Sequence, residues 1–590
     1  MTARWGLFLF IPLAISLTLT VGTQFIFIEK SFFRELGLGQ IGEPVGLANY
    51  AVALQNPLYL SSIITTLRVA MLATLGCLLL GYPLAYVIAR TGGRLAIVML
   101  AGVLLTSLVS APIKVLGLII IFNKEGALNR LLMSTGILNA PVNILGSEAG
   151  VVVGLIYYSL AFAVLLLYSV ISTIPIVLED AATINGAGRA RTFWRVILPL
   201  SLPGVCAVAL TIFSLSMGAF AAAALMGGGR VLTLPVLIYQ TIFLDSKYVT
   251  ASTLAAILLA LVLLVNACAG VVISMFGARS LRKKLTSPFV RLDGVLDFIS
   301  AFRMSLGRRF QRIARLLSPI VSAVWISATY ILIFAPLLVV VFASFNGGSF
   351  RAGAVVFPPR QFSLDWYLST PYSHFHAFGI SLLLAFIATA MACLIAIPAG
   401  LGLVRSSIPG REVIAALFRI PLQIPVVIIG LAFFYTCYAI DDVVSTSLAG
   451  SFLALIIAHF FVLAPFVIGS VTVILQRFDS NLEEAASSLG ANRWRTFRRV
   501  TLPIIGPGLF AGAIYAFMVS FGDVPISLFL AGPNTTPFPV AIFHSMEMDF
   551  DTRVLSSSTM AMVFGLIMLL TVQKLIGLDS FARSQAGTRH

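Results

Sequence analysis

Glu483-Glu484-Ala485-Ala486, then Gly490, Thr496-Phe497, Val500 and Leu502-Pro503, forms a polar, arginine-rich passage between two long apolar runs, and the chain contains this passage twice. The earlier copy reads Glu179-Asp180-Ala181-Ala182, Gly186, Thr192-Phe193, Val196 and Leu198-Pro199, with its glycine, phenylalanine and proline each 304 residues before their counterparts. In the later copy Leu482, Ala485, Ala486 and Leu489 recur at helical spacing, while Glu483, Glu484, Ser487 and Ser488 make a polar face. The spacing predicts a short amphipathic helix ended by a glycine. A basic run follows, and then a proline at the start of the next apolar segment, where a missing amide donor costs little. One such helix reads as an ordinary interfacial anchor. Two in register point to a docking surface for a soluble partner.

Composition places these passages in a membrane protein. Hydrophobic residues make up 59% of the 590 and charged residues only 10%, with a mean hydropathy of +1.03, a balance that a water-soluble domain does not sustain without exposing apolar surface. The apolar runs are about 20 residues long and lack the two-residue alternation of barrel strands, so they predict helices. The expected fold is an all-α polytopic membrane protein with about twelve transmembrane helices in two homologous six-helix halves. Spans are predicted near 6–28, 62–89, 95–122, 150–174, 203–226, 252–276, 319–344, 377–404, 413–438, 449–474, 506–531 and 556–577.

Lysine and arginine are retained on the cytoplasmic side of membranes. With Met1 inside, Arg90, Arg191, Arg405, Arg495 and the basic segment 279–315 all fall inside, so both repeated loops face the cytoplasm, as do both termini. The net charge of +16 then reflects topology and gives no reason to invoke nucleic acid. The run after Arg4 is longer than the core of a cleaved signal and reads as a retained span. The five cysteines all lie in predicted spans and have no metal-site or disulfide spacing. The expected organisation is a first half, 1–278, with its loop at 177–200; a basic linker, 279–318; and a second half, 319–590, with its loop at 481–504. Pro83 and Pro398 precede Arg90 and Arg405 near the ends of matched spans, and Pro112-x4-Gly117 matches Pro425-x4-Gly430. With six spans each, the halves enter the membrane in the same direction and can enclose a pathway between them.

The chemistry legible along the chain is sparse. No Gly-Lys dipeptide occurs, so the phosphate-binding loop Gly-x4-Gly-Lys-(Ser/Thr) is missing from the sequence. Energy for transport would then come from a partner. His374-x-His376 reads as a surface pair on an outer loop, and no metal site is expected. His459, inside a span, reads as a packed hydrogen-bonding residue. Ionisable residues inside spans are costly unless they face a polar cavity or a partner. That argument nominates Asp523, suited to a cationic solute, and Lys114, suited to an anionic one, as pathway residues. Internal ion pairing is the structural alternative for both. No catalytic residue is expected.

The repeated passage resembles the Glu-Ala-Ala loop of the permeases of ATP-binding-cassette importers, Glu-Ala-Ala-x3-Gly-x9-(Ile/Val)-x-Leu-Pro. Glu484-Ala485-Ala486, Gly490, Val500 and Leu502-Pro503 fit it in full, and the first copy fits with Asp180 in place of the glutamate. The resemblance implies a type I, MetI-like permease fold. It also implies that Glu179, Asp180, Ala181, Ala182 and Gly186, with Glu483, Glu484, Ala485, Ala486 and Gly490, belong to coupling helices that dock on a dimer of ATPase subunits. By the same resemblance ATP and magnesium sit on those partners, no cofactor is held by this chain, and an extracytoplasmic binding protein delivers the solute to a bacterial inner membrane. Leu80-Gly81-Tyr82-Pro83-Leu84-Ala85-Tyr86 in the first half is similar to one spermidine/putrescine permease subunit. Trp366-Tyr367, Ala458-His459 and Phe521-Gly522-Asp523 in the second are similar to the other. A polyamine is therefore the expected solute; ferric iron, thiamine or 2-aminoethylphosphonate, the solutes of related permeases, are the alternatives, and the fused arrangement resembles the iron-type relatives. An ion-coupled secondary transporter is the rival from another class, and it gives no reason for duplicated inner loops.

Overall fold

The computed structural model describes residues 6–37, 39–107, 109–282, 308–347, 357–359, 361–547 and 553–576. Most of the basic linker expected at 279–318 lies outside them. In the first half α1 covers Leu7–Lys30, the hairpin strands β1 and β2 cover Phe33–Gly37 and Gln40–Pro44, and α2 covers Pro57–Arg90. Then come α3 (Gly93–Ser107), α4 (Ala111–Phe122), α5 (Glu148–Ser172), α6 (Val177–Ile184), α7 (Phe193–Met217), α8 (Leu234–Phe243) and α9 (Tyr248–Arg282). The second half consists of α10 (Arg308–Ala343), α11 (Tyr372–Arg405), α12 (Val426–Val444), α13 (Phe452–Gln476), α14 (Asn481–Ser488), α15 (Arg493–Phe521), α16 (Phe538–Glu547) and α17 (Arg553–Ile576).

Among the described residues ten helices are long and apolar enough to cross a membrane, and α3 and α4 belong to an apolar pair bent by 96° at its break, a geometry shared by a broken span and a re-entrant loop. The region expected for the last span is α17, whose described apolar part is shorter. Two expected spans prove to be broken. Pro112 and Pro425 do not sit inside continuous helices; they stand at helix starts, because a proline constrains the residue before it and cannot extend a helix already under way. Two others end early. The helices α7 and α15 stop at Met217 and Phe521, and each is followed by a short helix, Ala221–Gly227 or Pro525–Leu530, before α8 or α16.

Each half is assembled around its second helix. Small residues Ala70, Ala73, Cys77, Gly81 and Ala85 line the buried side of α2, and Ala388, Ala392, Ala396 and Ala399 line that of α11. Small side chains let helix axes approach closely where lipid supplies no hydrophobic drive between them. The first helix of each half crosses to the other. Leu9 of α1 is buried with Ala388, Ala392 and Leu463 of the second half. Ile333 of α10 is buried with Leu84 and Leu160 of the first, where its carbonyl accepts a hydrogen bond from the Tyr157 hydroxyl at 3.2 Å. The short helices of both halves meet in an aromatic cluster, with Phe220 and Phe543 at 5.2 Å and Phe243 and Phe529 at 5.5 Å between ring centroids.

Candidate functional site: paired loops and a central polar cluster

The two repeated passages fold alike down to their irregularities. Each begins with an eight-residue helix, α6 or α14, that buries none of its residues. Each ends with a glycine in the left-handed region, Gly186 at φ +80° and Gly490 at φ +79°. Around Gly186 the amide of Ala187 donates to the Ala182 carbonyl and that of Gly186 to Thr183, both at 2.9 Å. Around Gly490 the amides of Ala491 and Gly490 donate to Ala486 and Ser487, both at 3.0 Å. This paired closure satisfies carbonyls that a helix end leaves open, and it requires a residue tolerant of positive φ. Each passage then enters its span through a five-residue π turn, Phe193–Ile197 or Phe497–Thr501. Such wide turns are uncommon and concentrate at functional positions.

The residues predicted for docking divide into two sets. Asp180, Ala181 and Gly186 are exposed, as are Glu484, Ala485 and Gly490, while Ala182 and Ala486 are half-buried against the body. Glu179 and Glu483 turn inward. Glu179 Oε1 accepts from Arg90 Nε at 2.6 Å and Oε2 accepts from the Tyr86 hydroxyl at 3.0 Å. Glu483 Oε1 accepts from Arg405 at 2.8 Å and also from the Thr501 hydroxyl. Sequence reasoning had Arg90 and Arg405 only as basic markers of the inner face. Their separations from the glutamates, 89 and 78 residues, share no spacing that would have exposed the pairing. Large apolar side chains stand open on the same surface, Ile184 at 85% and Leu489 at 89% exposure. Beside the exposed carboxylates they make a surface suited to a partner groove.

The second constellation lies where the halves cross. Asp523 follows the end of α15, and its Oδ2 accepts from the Ser527 amide at 3.0 Å and the Ser527 hydroxyl at 3.1 Å, both in the first turn of the short helix Pro525–Leu530. His459 of α13 binds Ser520 through Nδ1 at 2.7 Å and Ser527 through Nε2 at 3.1 Å, and its Nε2 is 3.7 Å from Asp523 Oδ2. Lys114 is buried in α4, with its ammonium 5.8 Å from the centre of the Tyr158 ring. A Cβ added at Gly522 would lie 3.6 Å from Ser110, one turn before Lys114, so the two charges read from the sequence fall on the same crossing of the halves. The pseudo-equivalent crossing packs Gly218 on Pro425 and is neutral. There, 304 residues earlier, Leu155 replaces His459, Ala219 replaces Asp523 and Ala223 replaces Ser527. Ser216, in the place of Ser520, is left with its buried hydroxyl unpaired. The polar cluster is thus built on one side of the molecule only.

His374 departs from the expectation of a surface pair. The helix α11 begins at Tyr372, five residues before the predicted span, which buries His374 with its Nδ1 2.8 Å from the Ser557 hydroxyl and leaves His376 exposed.

Residues 78–280 and 392–576 match the family model described as binding-protein-dependent transport system inner membrane component. The chain belongs to this family. Both matched segments contain one loop, so the duplication read from the sequence is a duplication of the permease unit. The spermidine/putrescine transport system permease protein PotB of Haemophilus influenzae is 37% identical over 202 residues, 34% of this chain and 70% of the relative. PotB of Escherichia coli is 33% identical over 224 residues, 38% of this chain and 77% of the relative. The putrescine transport system permease protein PotI of Escherichia coli is 28% identical over 249 residues, 41% of this chain and 87% of the relative. Each relative is matched by less than half of this permease, in keeping with two such units on one chain.

Proposed function

We propose that this chain is the two-unit permease of an ATP-driven importer, with a polyamine as its solute. The observation that carries the reading is the duplicated loop, each copy presenting an exposed carboxylate, Asp180 or Glu484, beside open apolar side chains while its neighbouring glutamate is held within the chain. A pair of equivalent surfaces fits a pair of equivalent ATPase subunits, which would carry ATP and magnesium. The distribution of basic residues supports a cytoplasmic position for these loops and both termini, and the opposite face would receive a solute-binding protein. Polyamines are supported by the spermidine/putrescine and putrescine permeases among the relatives and by Asp523, a carboxylate set among hydroxyls at the crossing of the halves, where an ammonium group can exchange water for fixed acceptors.

Deleting the gene and measuring uptake of radiolabelled spermidine and putrescine tests the solute. Loss of both activities, restored by the intact gene and resistant to competing ferric iron or 2-aminoethylphosphonate, is expected. Unchanged polyamine uptake with loss of one competitor's uptake would reassign the solute. Affinity capture in mild detergent tests the partner, and recovery of the permease without an ATPase would sink the docking reading.

A further inference from the structure

The inner pairs Arg90 with Glu179 and Arg405 with Glu483 have a counterpart at the opposite ends of the same two helices. Near the far end of α2, the Thr66 hydroxyl oxygen accepts the amide of Leu234 at 2.8 Å. Near the far end of α11, the Ser381 hydroxyl accepts the amide of Phe538, also at 2.8 Å. Leu234 and Phe538 are the first residues of α8 and α16, and each is followed by a proline, Pro235 or Pro539. Amides in the first turn of a helix have no partner within it. The hydroxyls therefore occupy positions where a helix start can be seized from outside. Thr66 and Ser381 are each 1% exposed, so these bonds are shielded from competition by water.

The spacing is the same in both halves: 24 residues separate Thr66 from Arg90, and 24 separate Ser381 from Arg405. At 1.5 Å per residue this is a helical rod of about 36 Å between its two attachments. Each rod has a proline seven residues before its arginine, Pro83 or Pro398. There one backbone hydrogen bond is missing and bending is least costly. The auxiliary donors to the glutamates differ, Tyr86 in one half and Thr501 in the other. What is common to the halves is the ion pair at one end, the hydroxyl-to-amide bond at the other, the hinge and the length.

We propose that α2 and α11 are connecting rods that transmit displacement of the loop helices α6 and α14 to the short helices α8 and α16, with Arg90, Arg405, Thr66 and Ser381 as positioning residues. The proposal rests on the reading that the loops dock an ATPase. Movement of an ATPase subunit would reach the rod through its ion pair, because the loop helix has no buried side chain to drag a neighbour. The far end of the rod would then shift the start of α8 or α16. These helices bear on the aromatic cluster between the halves, where Tyr239 lies 4.9 Å from Phe220 and Phe543 lies 5.2 Å from it.

The test uses the permease co-purified with its ATPase and reconstituted in lipid, with native cysteines replaced by serine and nitroxides at Leu244→Cys and Asn534→Cys beside α8 and α16. Distances between the labels are measured with and without ATP in the unaltered protein, in R90E, E179R, the exchanged pair R90E/E179R, and T66V. The unaltered protein and the exchanged pair are expected to show a nucleotide-dependent shift. The single reversals and T66V are expected to lose it while still binding the ATPase and hydrolysing ATP. T66V leaves the loop untouched and keeps side-chain shape, so a purely local role for the ion pair predicts a normal shift in that variant. A shift retained in T66V or in either single reversal overturns the rod, as does failure of the exchanged pair to regain it or an unaltered protein whose labels do not respond to ATP. Failure of the ATPase to co-purify with the unaltered protein is a different result, and refutes the docking reading itself.

Discussion

Gly490 allows the docking reading to be tested by backbone conformation alone. Its φ is +79°, and a Cβ added there would meet no atom within 4 Å, so substitution incurs no clash and the whole cost is conformational. For an ordinary side chain the left-handed region costs about 1–2 kcal/mol, asparagine tolerates it better, and a β-branched residue tolerates it least. The alternative to paying that cost is to open the closure made by the Ala491 and Gly490 amides. Nothing in α14 is buried to resist the opening. A shift of 1–2 kcal/mol changes the balance of closed and open loop by roughly 5- to 30-fold. Solute uptake is therefore expected to fall in the order glycine, asparagine, alanine, valine, with little change in the amount of permease in the membrane, since the site is exposed. ATP hydrolysis by the assembled complex should fall less than uptake, because the ATPase remains complete while its grip on the second half is loosened. The assay is uptake and hydrolysis on the same proteoliposomes for each variant. Valine performing as well as asparagine would refute the reasoning, because asparagine tolerates positive φ and a β-branched residue does not.

Three further outcomes follow from the geometry. Reversing the exposed carboxylates in D180R/E484R should abolish ATPase co-purification while leaving the thermal transition of the permease unchanged, since both groups lie on exposed positions of helices that bury none of their residues; retained co-purification would place the contact elsewhere. Replacing Asp523 by Asn keeps an acceptor for the Ser527 amide but removes the charge, so uptake of a polyamine should fall without loss of folding, whereas Asp523→Ala should also destabilise by about 1 kcal/mol through loss of its bonds to Ser527; equal uptake by D523N and the unaltered protein would remove Asp523 from the pathway. A methyl group at Gly117 would be driven into the Pro336 carbonyl across the halves, so Gly117→Ala should lower the melting temperature in detergent by the cost of overpacking, about 1–3 kcal/mol, and an unchanged transition would contradict the close approach of α4 and α10.

The patterns that sequence alone could read are those carried by neighbours along the chain. A 20-residue apolar run, a helical spacing of Leu482, Ala485 and Leu489, and a glycine at a helix end are local, and the duplication makes each visible twice. From these the helical class, the two halves, the paired loops and the left-handed Gly186 and Gly490 all follow. Helix breaks were less legible. Pro112 and Pro425 read as features of a span because hydropathy does not fall across them, although a new helix starts at each.

What only the tertiary structure decided is which side chains meet. Glu179 and Glu483 share the polar face of the loop helices with Asp180 and Glu484, and no local pattern says that one acid of each pair turns inward to an arginine 89 or 78 residues away. Nor does composition reveal that α1 and α10 exchange places between the halves, that Thr66 and Ser381 receive matching amides, or that Lys114 and Asp523 stand on one crossing while the other is neutral. The reason is physical. In a membrane nearly every helix face is apolar, so hydropathy shows where helices are but carries little information about how they pack. Packing is settled by small residues, chain breaks and a few buried polar bonds, and their partners come together only when the whole bundle closes.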